Sequence, residues 1–267
     1  MEMKIENYTL SSGGLYRALL VDCDGTLAPE GMEVRPRVRE AVTELSRQIP
    51  VCIASSRDFQ DIRWLANSLG FRSPQISEGG AHIFDPVSGE SHWYKTLATE
   101  DAKRIVRFLD SNGLEMCVVD ASRRAWSMAE IVEWQVTRIT ATSLNPERAK
   151  EISCDFKLEF QNVHTAIIVR TDNGDWMVDF THIDATKASA AVRVAALLGI
   201  EPSELIGVGD SFNDVPLMDA CGLGIAMGNA VEQVKAEADY IAPSALEDGL
   251  ATAIEKIILP AVNGTPM

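Results

Sequence analysis

Ala18-Leu19-Leu20-Val21-Asp22-Cys23-Asp24-Gly25-Thr26-Leu27 decides how this 267-residue chain is read. Four apolar residues running straight into polar turn residues predict a short strand buried on both faces, as in a parallel sheet. Side chains alternate along such a strand, so Asp22 and Asp24 fall on one side with Cys23 turned away. Gly25 then permits the sharp turn that two neighbouring carboxylates need if both are to face one ligand. In open α/β sheets ligands sit beyond the carboxyl ends of the strands, and this pair stands at such an end. Taken alone, it is also what a solvated acidic turn contains. A calcium loop does not fit, although Glu33 falls at the twelfth position from Asp22: the glycine is fourth instead of sixth, and a strand precedes the loop.

Outward from this stretch, strand and helix signals alternate. Val34, Val38, Ala41, Val42 and Leu45 recur at helical spacing, residues 50–54 read as a second strand, and Ile62, Leu65, Ala66 and Leu69 mark a second helix. Gln75-Ile76 centres a third strand. Much later, Lys187 to Leu198 is Ala-rich and helical, and Leu205 to Val208 is another apolar strand. Leu223 to Met227 and Tyr240-Ile241 read as further strands around a helix through Val231 and Val234. This rhythm predicts an α/β fold, a doubly wound, Rossmann-like parallel sheet. Between about Phe84 and Thr181 it breaks. Asp85-Pro86-Val87-Ser88-Gly89 reads as a turn between hairpin strands. Lys157 to Gln161, Thr165 to Val169 and Trp176 to Phe180 read as strands, the last two joined at Asp172-Asn173-Gly174. Helical patterns lie at Ala102 to Leu109 and around Asn145 to Ile152. An α+β domain of residues 85–181, inserted into a sheet domain of residues 1–84 and 182–267, is the organisation predicted.

Lys and Arg number 24 against 39 Asp and Glu, a net charge of −15. Such a surface repels phosphate backbones, which argues against nucleic acid as a partner but not against a small anion held locally by a metal. The five cysteines (Cys23, Cys52, Cys117, Cys154, Cys221) are scattered, odd in number and contain no CxxC pair. That pattern predicts reduced thiols in a cytoplasmic protein, with no disulfide framework or zinc site. Met1 to Gly14 is polar and no apolar run reaches membrane-spanning length, so no signal sequence and no membrane association are expected.

Three further segments repeat the logic of the first. Gly209-Asp210-Ser211-Phe212-Asn213-Asp214 directly follows the strand Leu205 to Val208. An Asp/Asn-rich turn that caps the next helix explains Asn213 or Asp214 singly, but two strand ends with paired acids suit a hard divalent cation, Mg²⁺ being usual near phosphates. Ala54-Ser55-Ser56-Arg57 follows the second strand, where a serine either caps a helix or offers its hydroxyl to a phosphate at the helix N-terminus. Lys187 opens a helix, against the macrodipole.

Together, in this order, Asp22-Cys23-Asp24-Gly25-Thr26, Ser55, Lys187 and Gly209-Asp210-Ser211-Phe212-Asn213-Asp214 resemble the haloacid dehalogenase superfamily of phosphatases and phosphotransferases. Gly224-Ile225-Ala226-Met227-Gly228-Asn229-Ala230 and Glu78-Gly79-Gly80-Ala81 resemble its Cof-type subfamily. Gly79 stands where that subfamily commonly has Asn, and Ser55-Ser56-Arg57 where Thr-Gly-Arg is usual. The resemblance covers residues 15–84 and 182–258, and the insertion matches by position the cap of that subfamily. It implies that Asp22 is a nucleophile forming an aspartyl-phosphate and that Asp24 is the general acid and base. It implies Mg²⁺ held by Asp22, the Asp24 backbone carbonyl and Asp210, with Asp214 as a further ligand or support. Ser55, Lys187 and Asn213 would fix the phosphoryl oxygens. The implied substrate is a small phosphorylated metabolite, a sugar phosphate or phosphoglycolate. The alternatives are a phosphotransferase or mutase on hexose phosphates and a non-catalytic binding module on the same fold. The cap would close over the leaving group. Its Arg123, Arg124 and Trp126 are placed to reach a carboxylate or sugar, or to form a solvated Arg pair beside a core Trp, and His182 adjoins the junction. Four site carboxylates against Lys187 leave a local charge of −3, or −1 with a divalent ion, so strict metal dependence is expected.

Overall fold

The computed structural model of the chain describes residues 15–121, 123–170 and 174–264. In chain order its strands and longer helices begin β1 (Ala18–Val21), α1 (Pro36–Leu45), β2 (Val51–Ile53), α2 (Phe59–Ser68), β3 (Gln75–Ser77), β4 (His82–Phe84) and β5 (Ser91–Tyr94). Then come α3 (Thr99–Ser111), β6 (Met116–Asp120), β7 (Arg123–Ala125), β8 (Val136–Leu144), α4 (Pro146–Glu159), β9 (Val163–Val169) and β10 (Trp176–His182). The chain closes with α5 (Lys187–Leu198), β11 (Leu205–Gly209), α6 (Val215–Asp219), β12 (Leu223–Ala226) and β13 (Tyr240–Ile241), followed by short helical turns.

The first sheet is parallel, in the order β13-β12-β11-β1-β2. Strand β1 lies between β2, which follows it, and β11, which comes much later; this is the point at which a doubly wound sheet reverses its order and opens a crevice. Both faces are covered. Leu19 and Val21 pack with Val38, Val42 and Ile62 of α1 and α2, while Ala18 and Leu20 pack with Ala190, Ala191 and Val194 of α5. This two-sided burial is why β1 reads as an unbroken apolar run. Beyond β2, Ala54 bridges Ile76 in parallel, which places the antiparallel β3-β4-β5 sheet at that edge. Strand β5, after the Asp85–Gly89 turn, is the outer strand of that three-stranded sheet, paired with β4.

Residues between β5 and α5 build an antiparallel sheet, β7-β6-β8-β10-β9. Ile139, Ala141, Val178 and Phe180 face α3 and α4 and share a core with Ile105, Ile152 and Phe156. The predicted strand Lys157 to Gln161 is a correction: residues 157–159 are the last turn of α4. Asn145 caps that helix by accepting from the Arg148 N–H at 2.8 Å, Pro146 opens it, and Ala149, Ile152, Ser153 and Phe156 hold a helical buried face through the segment. Strand β8, the longest among the described residues and not predicted from the sequence, has a threonine-rich stretch buried on both faces at the centre of this sheet. Strands β9 and β10 pair antiparallel as expected, although Asp172-Asn173 of their turn, like Met1 to Gly14, lies outside the described residues. Among the described residues no helix is long and apolar enough to cross a membrane.

Candidate active site

Parallel pairing of β1 with β11, Val21 opposite Val208, sets the two acidic segments side by side. The Asp22 N–H donates to the Val208 carbonyl at 2.9 Å, extending the ladder to the first carboxylate. Gly25 turns the chain back with φ +78°, and a Cβ built there would lie 2.1 Å from Asp210 Oδ2. Glycine is thus required twice, for the left-handed backbone and for the close approach of the opposite carboxylate.

On the β11 side, Gly209 allows Asp214 to fold back over the strand end, since a Cβ at 209 would meet the Asp214 Cβ at 2.3 Å. Asp214 Oδ2 accepts from the Asp210 and Ser211 N–H groups, each at 3.1 Å. Its other oxygen accepts from Lys187 Nζ at 2.6 Å, and the same ammonium donates to Asp22 Oδ1 at 2.5 Å. Lys187 is placed at the first turn of α5 by the Thr186 cap, whose hydroxyl accepts from the Ser189 N–H at 3.0 Å. Carboxylate oxygens of Asp22, Asp210 and Asp214 lie within 4.8 Å of one another, close enough to hold one metal ion, and all three residues are buried.

The electrostatics follow from that burial. Desolvation, with repulsion from Asp214 added, pushes the Asp22 carboxyl up to about 8 despite the opposing pull of Lys187. Burial, then Asp22 and Asp214, also drive Asp210 well above the carboxylate range. Burial alone would lower the Lys187 pKa, but Asp214 and Asp22 outweigh it and hold the ammonium charged. Crowded, oxygen-only and short of positive charge, the cluster fits a hard divalent cation.

Asp24 stands apart from this cluster. Its carboxylate is held at both oxygens by Arg57, Nε to Oδ2 at 2.8 Å and a second guanidinium nitrogen to Oδ1 at 2.5 Å. In the sequence Arg57 is only one member of the Ser55-Ser56-Arg57 motif; the β1–β2 adjacency that brings it to Asp24 is a tertiary fact. Ser55 is buried, and its Oγ accepts from the Arg57 N–H at 3.1 Å. Neither Ser55 nor Ser56 caps α2: that role falls to Asp58, which accepts from the Asp61 N–H at 3.1 Å. Asn213 presents a buried Oδ1 without a hydrogen-bond partner in the described structure. Asn229, quoted only within a motif, ties the two strand ends together by donating to the Gly25 carbonyl and to Asp210 Oδ2, both at 2.9 Å.

Asp22, Asp24, Ser55, Asp210 and Asn213 all open onto a cavity of about 550 Å³ roofed by the antiparallel sheet. Lys187 and Asn213 also border an adjoining cavity of about 250 Å³. From the insertion, Arg124 and Trp126 reach the larger cavity. Arg124, though exposed, is paired: Nε bonds Asp58 Oδ2 at 2.6 Å and the guanidinium also bonds Asp61, joining the insertion to α2. Trp126 is 60% exposed and not a core residue. Arg123 lines neither cavity, and His182 instead accepts from the Asp184 N–H at 3.1 Å through Nδ1.

Comparison with known proteins agrees with this layout. The profile of a family described as haloacid dehalogenase-like hydrolase matches residues 19–133 and 127–254. The chain is 26% identical over 250 residues to the 5-amino-6-(5-phospho-D-ribitylamino)uracil phosphatase YcsE of Bacillus subtilis, spanning 91% of this chain and 96% of that protein. It is 24% identical over 245 residues to a phosphoglycolate phosphatase of Methanoculleus marisnigri, spanning 91% and 97%. Among solved structures, a haloacid dehalogenase-like hydrolase from B. subtilis superposes with a TM-score of 0.79 at 21% identity, covering 90% of this chain and 99% of that one. At that identity the likeness is one of fold.

Proposed function

This chain belongs to the haloacid dehalogenase-like hydrolases and is a phosphatase of that family; from that premise we propose that it hydrolyses a small phosphate monoester, of the sugar-phosphate or phosphoglycolate kind, with Mg²⁺ and through an aspartyl-phosphate on Asp22. The observation that carries this reading is the buried trio of Asp22, Asp210 and Asp214 at the strand-order reversal, pinned by Lys187 beneath a roofed cavity. Residues 1–84 and 182–267 would form the catalytic core and residues 85–181 the cap, whose first strand, β5, pairs with β4 of the core.

In the proposed cycle an Asp22 carboxylate oxygen attacks phosphorus and the bond from phosphorus to the ester oxygen breaks. Asp24, having taken a proton from solvent once Arg57 leaves its carboxylate, hands that proton to the departing oxygen, then takes one from the water that attacks the phosphorus of the acyl phosphate, releasing phosphate and restoring Asp22. To do so Asp24 exchanges Arg57 for the leaving oxygen. Lys187, the Ser55 hydroxyl and Asn213 hold the phosphoryl oxygens. Asp22, Asp210 and the Asp24 carbonyl would hold Mg²⁺, with Asp214 at its edge fixing Lys187 and the Asp210 turn. The ion supplies positive charge against the repulsion between an anionic nucleophile and an anionic ester. All five cysteines are free thiols, three of them buried, which supports placing the enzyme in the cytosol.

A phosphate-release screen over sugar phosphates, phosphoglycolate and p-nitrophenyl phosphate tests the reading. Activity is expected with Mg²⁺, lost with EDTA, and independent of any bisphosphate activator. Metal-independent turnover sinks the metal assignment, and a requirement for a bisphosphate turns the reading toward phosphotransfer.

A further inference from the structure

The roof of the cavity carries a polar cluster that no step of the proposed cycle uses. Along β8, Arg138 and Thr140 alternate with Ile139 and Ala141, whose side chains enter the α3–α4 core. Along β10, Asp179 likewise alternates with Val178 and Phe180, and pairs across the sheet with Thr140. Arg138, Thr140 and Asp179 therefore share the face turned toward the catalytic carboxylates, and all three line the large cavity.

Asp179 is 2% exposed. Its Oδ1 accepts from the Thr140 hydroxyl at 2.6 Å and from the Arg138 guanidinium at 3.1 Å. The second oxygen, Oδ2, is buried and finds no donor among the described residues. A buried carboxylate oxygen is a strong acceptor, and leaving it unmatched is costly. The cavity's cations are in the opposite condition. The three arginines of its roof each already have a carboxylate partner: Arg124 with Asp58 and Asp61, Arg138 with Asp179, and Arg170 with Glu30, while Arg57, on the opposite side, gives up Asp24 only during the proposed cycle. What the roof offers a leaving group is thus an acceptor for hydroxyls at Asp179, the Thr142 hydroxyl and one unpartnered donor at Arg138 Nε, with every roof guanidinium already matched by a carboxylate. At about 550 Å³ the cavity also lies in the range that encloses ligands well beyond two carbons.

We propose that Asp179, oriented by Arg138 and Thr140, is a specificity-determining residue that accepts a hydrogen bond from a hydroxyl of the leaving group, so that the enzyme selects uncharged polyol or sugar phosphates over carboxylated esters such as phosphoglycolate. This rests on the phosphatase reading and narrows it. Sites built to bond a substrate hydroxyl discriminate strongly against analogues that lack it, because the buried partner is then stranded.

The test compares kcat/KM of the Mg²⁺-loaded enzyme for ribitol 5-phosphate, ribose 5-phosphate, phosphoglycolate and p-nitrophenyl phosphate. The polyol and sugar esters are expected to exceed phosphoglycolate by roughly tenfold or more. In Asp179→Asn, the ratio of ribitol 5-phosphate to p-nitrophenyl phosphate kcat/KM is expected to fall roughly 10- to 100-fold. Because that variant strands Arg138, the double variant Arg138→Gln/Asp179→Asn, which removes both charges together, is measured beside it and should show the same fall. Phosphoglycolate as the preferred ester, or an unchanged ratio in both variants, overturns the proposal while hydrolysis of p-nitrophenyl phosphate upholds the phosphatase reading. A wild type that cleaves none of the four esters overturns both.

Discussion

Asp22 occupies a place where a carboxylate is hard to keep ionised: it is buried, 2.5 Å from Lys187 and close to a second buried acid. Replacing it with Asn preserves shape and removes a charge that burial and Asp214 oppose, while Lys187 keeps Asp214 as a partner. Asp22→Asn is therefore expected to unfold within a few degrees of the wild type by thermal melt. As it removes the proposed nucleophile, turnover of p-nitrophenyl phosphate should drop by a factor on the order of 10³ or more. Gly25 carries the opposite risk. Alanine there must adopt φ +78° and place its Cβ against Asp210. Destabilisation of about 1–3 kcal/mol in urea unfolding is expected for Gly25→Ala. The thermal shift that Mg²⁺ gives the wild type should be lost as well, because Asp210 is displaced.

At the scale of elements, helix ends decide where side chains point. The Thr186 cap sets the register of α5 and so brings Lys187 over the crevice. The Asn145 cap with Pro146 sets α4, whose buried face continues to Phe156 and overrides the local alternation of Lys157, Leu158, Glu159 and Phe160. Leu158 is 83% exposed, as an outward helical position would be, whereas Phe160 turns inward only after the helix ends. Asn145→Ala should cost about 1 kcal/mol of stability, measured by urea denaturation, because the Arg148 N–H loses its acceptor.

Across the whole molecule, charge and closure are linked. The site's four carboxylates face two cations, since Arg57 joins Lys187 in opposing them. The local charge is thus −2 without a divalent ion and neutral with one, so the repulsion without an ion is weaker than Lys187 alone would leave it, and a divalent ion still removes what remains. Closure of the roof depends on contacts between distant segments: Arg124 with Asp58 and Asp61, Arg170 with Glu30 at 3.3 Å, and the Val169 N–H donating to Ser211 Oγ at 3.0 Å. Arg124 is 42% exposed in its side chain, so its pairs are screened by solvent and contribute roughly 0–1 kcal/mol. For Arg124→Ala we expect KM to rise up to about fivefold with little change in thermal midpoint, and the difference to shrink at high salt. A KM that does not move at low salt would remove Arg124 from the closing contacts.

What the sequence determined by itself was the chemistry at the strand ends. An apolar run buried on both faces and stopped by Asp-x-Asp-Gly is a local signature, and so are the second acidic turn after β11, the N-terminal lysine of α5 and the Asn-Gly hairpin signal. Strand order is not local. Only the pairing of β1 with both β11 and β2 decided that Asp22 meets Asp210 on one side and that Asp24 meets Arg57 on the other. The same holds for Asn229 and for the Arg138–Asp179 pair, whose members lie in strands β8 and β10. Strand β8 is hard to read from sequence because polar residues such as Thr137, Arg138 and Thr140 are buried, so its hydrophobic alternation is weak. Residue type and spacing record what a side chain offers, whereas its partner is set by which distant strand the sheet places beside it.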